Sequence, residues 1–154
     1  MYFKSEYISN ISSENIEKAI RNHSLKRYTS LDFKFTSTFI EEDEKYFFGV
    51  EKPKTIKITR IRSPFSKYVP KIILKFEKSN FKEYKIRFSA FTLIVFIYSF
   101  IALILNLISS IISNNISENL LVVLIGNVIF YSFVFVEYKT TIKKLNLILN
   151  LERK

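Results

Sequence analysis

The chain has no cysteine and no tryptophan, one histidine, one methionine, three prolines and two glycines. Without cysteine there is no disulfide, no thiolate ligand and no thiol nucleophile. That suits a reducing compartment. With only Gly49 and Gly126, a glycine-rich phosphate cradle is excluded. His23 stands alone, so a zinc site of His and Cys ligands is excluded too. It reads instead as a helix-end residue near the negative pole of the dipole. No Ser/His/Asp set, phosphate loop or pair of carboxylates spaced to face one pocket is present. An enzyme is therefore not expected, and no cofactor or metal is assigned.

The most informative absence is charge. None falls between Arg87 and Glu118, and none between Glu118 and Glu137. Residues 88–136 are thus two apolar runs, 88–112 and 119–136, with a polar break at 113–118. As helices they would be about 37 and 27 Å long, and about 20 apolar residues cross the hydrocarbon of a bilayer. So short a link forces antiparallel neighbours. The pattern predicts a transmembrane helical hairpin rather than a buried soluble one. Asn106 and Asn127 lie at similar heights and are candidates for polar packing, across the hairpin or to a partner helix. Gly126, Ser99, Ser109 and Ser110 are small enough for close backbone approach. No ionisable residue lies in either span, so a conducting path is not expected.

Lys82, Lys85 and Arg87 precede the first run, and Lys139, Lys143 and Lys144 follow the second. The loop carries none. The positive-inside rule then puts both termini in the cytoplasm and the loop outside. The start of the chain lacks the apolar core of a signal peptide. A two-span protein of the cytoplasmic (inner) membrane is the expected location.

The formal net charge is +10, and all of the excess lies in 52–87, where twelve Lys or Arg face only Glu77 and Glu83. Such a stretch beside a membrane suits anionic phospholipid headgroups. Arg60, Arg62, Lys67, Lys71, Lys82, Lys85 and Arg87 are the candidate lipid contacts. Nucleic acid would also meet a basic surface, but it is not the expected partner of a chain with a membrane hairpin.

Residues 1–87 predict an α+β domain. A strand is expected over 1–9, then a helix capped by Ser12, with Glu14 and Glu17 at its positive end and Ile11 and Ile16 as a staple. Ile16, Ala19, Ile20 and His23 form its buried stripe. Strict alternation predicts a strand over 31–39, followed by an acidic turn of Glu41, Glu42, Asp43 and Glu44. That turn lacks the spacing and glycine of a calcium loop. Further strands are expected over 45–51, 55–62, 69–77 and 81–88, making an antiparallel β-meander with one apolar face. Tyr138, Ile142, Leu145 and Leu149 give 137–154 the stripe of an amphipathic helix that continues from the second span and packs on the sheet.

This order of parts resembles an uncharacterised family of short bacterial membrane proteins, with a strand, a helix and a β-meander before a transmembrane hairpin and a final helix. The residues that carry it are Tyr46-Phe47-Phe48-Gly49-Val50, Ile56-Lys57-Ile58-Thr59-Arg60 and Pro70-Lys71-Ile72, with the link Ser63-Pro64-Phe65-Ser66-Lys67-Tyr68. Leu74 stands where that pattern has glycine. The resemblance implies a fold and a location, and no activity. Two functions fit these residues. One is a membrane-anchored binding or structural module, with a protein partner or a second copy on the hairpin. The other is a small membrane-active hairpin of holin-like or immunity-like type.

Overall fold

The computed structural model describes residues 2–32, 45–62, 69–113 and 118–152. Six strands and three helices follow in the order β1 (Lys4–Tyr7), α1 (Ser13–Asn22), β2 (Ser24–Lys26), β3 (Phe47–Glu51), β4 (Thr55–Arg60), β5 (Ile72–Glu77), β6 (Asn80–Phe88), α2 (Ala90–Ser113) and α3 (Glu118–Leu151). The strands form one sheet in the order β1-β6-β5-β4-β3-β2. From β3 to β6 it is an antiparallel meander, and β1 adds antiparallel to β6.

The all-antiparallel expectation needs correction at the other edge. β2 pairs with β3 in parallel, so the sheet is mixed. A three-residue strand with one apolar side chain carries no period to read. Gly49 accommodates it, because a Cβ there would stand 3.3 Å from Ser24 Cβ. The strand expected over 31–39 is also changed at its start, where Leu31 and Asp32 are a turn; 33–44, with the acidic turn, lie outside the described residues.

Helix α1 forms where its signals put it. Ser12 Oγ accepts from Asn15 N at 3.3 Å, and His23 closes the other end by donating its N–H to Ala19 O. Ile16, Ala19 and Ile20 are buried against the sheet, with Ile11 packed beside them. Alternation does the rest. Ile56, Ile58, Ile72, Leu74, Phe76, Tyr84 and Ile86 share one face, which α1 and the end of α3 cover through Leu145, Ile148 and Leu149. A smaller cluster, Leu31, Phe48 and Ile73, lies on the other face.

The two long helices behave differently from the rest. Of the 27 large apolar side chains exposed among the described residues, 21 lie between Phe91 and Val136. Both helices are long and apolar enough to cross a membrane, and only 6% and 11% of their most apolar windows are buried. The core of a soluble protein would bury most of such a helix. Helix α3 continues without a break for 34 residues, about 51 Å, from the hairpin onto the sheet.

Candidate functional site: the junction of hairpin and sheet

The chemistry-bearing side chains gather where the hairpin meets the sheet. β6 passes into α2 through Ser89 alone. Ser89 Oγ accepts from Thr92 N at 3.2 Å, and Ser89 N donates to Lys71 O at 2.9 Å. Lys71 N donates to Thr92 Oγ1 at 2.7 Å. Asp32 adds a second cap. Its carboxylate accepts from Ala90 N at 3.1 Å and from both terminal nitrogens of Arg87 at 2.7 and 2.9 Å. The Arg87 guanidinium holds the Asp32 carboxyl down to about 2, against the cost of burial. An anion at a helix N-terminus is also favoured by the dipole.

The returning helix is fixed by a buried ion cluster. Glu137, 1% exposed, follows the last apolar residue of the hairpin. It accepts from Arg60 Nη2 at 2.6 Å and Arg62 Nη2 at 3.1 Å. Arg62 also donates to Val69 O at 2.6 Å and Pro70 O at 2.7 Å. At the next residue of α3, the Tyr138 hydroxyl donates to Glu6 at 2.7 Å and accepts from Lys4 at 2.8 Å. Glu6 also accepts from Tyr84. At the far end of α3, Glu152 takes hydrogen bonds from Asn22 and Lys18. The two helices of the hairpin are thus each tied to the sheet at the base.

This geometry redistributes the basic residues singled out above. Arg62 is buried and Arg60 is largely so, and Glu137 with two carbonyls takes up their guanidinium groups. They are therefore joints between sheet and helix, and Arg62 has no surface to offer a headgroup. Arg87 belongs to Asp32. Lys71 is 7% exposed, and burial first, with Arg62 next, pushes its amine down to about 8. Lys85 shares Glu77 with Lys75. Lys82 is half-buried and has no ion pair among the described residues, and Lys67 lies outside them.

In the hairpin, Asn127 Nδ2 donates to Val123 O at 2.9 Å and reaches Ser99 O on α2 at 3.5 Å. Asn106 does not face it; Asn106 donates to Ala102 O on its own helix at 2.8 Å. Nothing stands within 4 Å of a Cβ at Gly126, so the close approach is not there. Aromatic packing holds the base instead. Phe88 stacks on Phe96, and Phe96 meets Tyr131 edge-on at 5.5 Å.

A cavity of about 210 Å³ opens between α1 and the β2 edge, lined by Arg21, Ser24, Gly49 and Glu51 among others. It is smaller than the usual ligand site of about 300–1,000 Å³, and Arg21 and Glu51 are paired with one another across it at 3.0 and 3.1 Å. Among the described residues no three His, Cys, Asp or Glu side chains are placed to hold a metal ion. No family model, curated protein or solved structure matches this chain.

Glu137 and Asp32, the acids of this junction, are not singled out by the sequence pattern. Each left a signal. Glu137 is the first charge after eighteen uncharged residues, where a burial-bound acid needs a cation. Asp32 sits in a stretch whose alternation drew attention to the strand rather than to the acid.

Proposed function

We propose that the protein is a two-span integral membrane protein in which the hairpin is an anchor and the α+β domain is a binding or structural module fixed to the cytoplasmic face. The observation that carries this is the apolar surface of 90–113 and 119–136, exposed on nearly every side of both helices. In water that surface would drive aggregation; in lipid it needs no partner. The spans fit the medium in length. Residues 118–136 of α3 measure about 28 Å and the 24 residues of α2 about 36 Å, against roughly 30 Å of hydrocarbon.

The joints at the base give the module its character. The sheet does not hang on a linker, because Ser89 is the only residue between β6 and α2, and α3 runs unbroken onto the sheet. A domain so coupled holds one orientation to the bilayer and can present one surface to it. This rigid coupling favours the module over a free pore-forming hairpin. The basic flanks support cytoplasmic termini.

The test is extraction followed by topology. In isolated membranes the chain stays in the pellet after alkaline carbonate and enters solution with detergent. A single thiol at Ser113, in an otherwise thiol-free chain, reacts with an impermeant maleimide from the outer side of intact cells. Release by carbonate would end the anchor reading. Labelling of that thiol only after the cells are opened would reverse the orientation.

A further inference from the structure

The two faces of the sheet treat charge differently. On the covered face Arg60 pairs with Glu137 and Lys4 with Glu6, and Arg21 of α1 reaches down to Glu51. On the other face three lysines stand side by side. Lys57 is the register partner of Lys75, and Lys75 of Lys85. They alternate with Ile58, Leu74 and Ile86 of the core, so all three point away from α1 and α3. Their row crosses three neighbouring strands, about 10 Å from end to end.

Like charges directly opposite one another on a sheet are unfavourable. Here the relief is partial. Glu77 accepts from Lys75 at 3.3 Å and from Lys85 at 3.1 Å. Lys57 has no acid within ion-pair distance among the described residues, and burial, then Arg87 and Lys52, push its amine below the usual lysine range. A row of crowded, half-buried ammonium groups with one carboxylate bonded to it, and Glu83 and Asp32 acting on Lys85 and Lys57 only through space, is short of negative charge.

Its place says where that charge comes from. The membrane end of the sheet is the row that pairs Ile72 with Phe88, two residues before α2 begins. The lysines lie three residues below it, about 10 Å. Their stems reach several ångströms further, which is within a Debye length of the headgroup layer.

We propose that Lys57, Lys75 and Lys85 form a docking surface for the phosphate-bearing headgroups of anionic lipids in the membrane that the hairpin occupies. This rests on the membrane reading above. Each lysine close to an anionic leaflet contributes a preference of about five-fold. Glu77 tempers the middle and outer members, so the row as a whole is expected to contribute about ten-fold.

The experiment uses the full chain in proteoliposomes, with spin-labelled phosphatidylglycerol or phosphatidylcholine reporting the motionally restricted lipid at its boundary. The expected result is a preference for the anionic lipid that falls about ten-fold in K57Q/K75Q/K85Q. It should fall less than two-fold in K18Q/K26Q/K54Q, which removes the same charge elsewhere. Equal losses in the two triple variants would overturn the row as a site and leave only net charge. Loss of the preference on adding inorganic phosphate, but not chloride of equal ionic strength, would make it a soluble-phosphate site and overturn the lipid assignment. An oligonucleotide that binds only with the row intact, while lipid preference is unchanged, would do the same. Absence of restricted lipid of either kind would instead fail the membrane reading itself. Circular dichroism on both variants confirms that the sheet is retained.

Discussion

One helix, α3, has two halves of opposite burial. Between 119 and 136, Leu120 and Asn127 are the buried side chains among those described, while Leu121, Val122, Val128, Ile129, Phe135 and Val136 are open. From Glu137 onward the pattern reverses: Glu137, Thr141, Leu145, Ile148 and Leu149 are all buried on the sheet. The backbone does not mark the change. Side-chain chemistry does, since the first half is apolar on every side and the second has one apolar stripe with lysines opposite. A helix buried by lipid needs no stripe, whereas a helix buried on one side by protein requires one. Glu137 stands at the change, where the chain first meets partners able to satisfy a charge.

That contrast can be broken first at its boundary. Glu137→Ala leaves Arg60 and Arg62 as buried cations without their acid, and should cost about 3–5 kcal/mol. In detergent or nanodiscs the variant should melt far below the parent and expose the sheet to protease. Replacing all three residues with Met should recover most of the loss, because well-packed apolar groups can stand in for a buried ion cluster.

The next largest effect lies in the sheet-bound half. Leu145→Ala empties a fully buried position and should cost about 2–5 kcal/mol. Leu124→Ala, at a position 43% exposed in the hairpin, should shift thermal unfolding in nanodiscs by a small fraction of that. Similar shifts for the two would erase the distinction between the halves.

Asp32 sharpens the comparison from the α2 side. Its folded-state pKa is depressed to about 2 from an ordinary 3.8, so its contribution is present above about pH 4 and lost as pH falls from 4 towards 2. The shift corresponds to about 2 kcal/mol. The stability advantage of the parent over D32N should therefore be steady near neutrality and shrink below pH 4 in an acid-unfolding series. The smallest effect is expected inside the hairpin: Asn127→Leu removes a single interhelical bond, worth about 0.6 kcal/mol in membrane helices.

Much of this architecture is legible in the residues. Ser12 with Ile11 and Ile16 marks α1, alternation marks β4 and β6, and missing charge marks the hairpin. These signals are local, and each names its own element. The parallel pairing of β2 is not local. It joins 24–26 to 47–49 through no repeat or turn, and nothing in Ser-Leu-Lys requires it. The junction is less local still. Arg60 and Arg62 lie some 75 residues from Glu137, and before folding a basic residue in a cationic stretch looks the same whether it will meet lipid or an acid. Lys57 and Lys75 were passed over for the opposite reason. Each is an ordinary outward lysine of an alternating strand, and only the register reveals that they form a row with Lys85.

The anchor reading requires α3 to change its surroundings near residue 137. Single spin labels at Val128, Phe135, Lys143 and Leu147 of the chain in nanodiscs, read for collision with oxygen and with a water-soluble nickel chelate, measure this directly. Oxygen should dominate at 128 and 135, and nickel at 143 and 147. Equal nickel access at all four positions would place the whole helix in water and contradict the account.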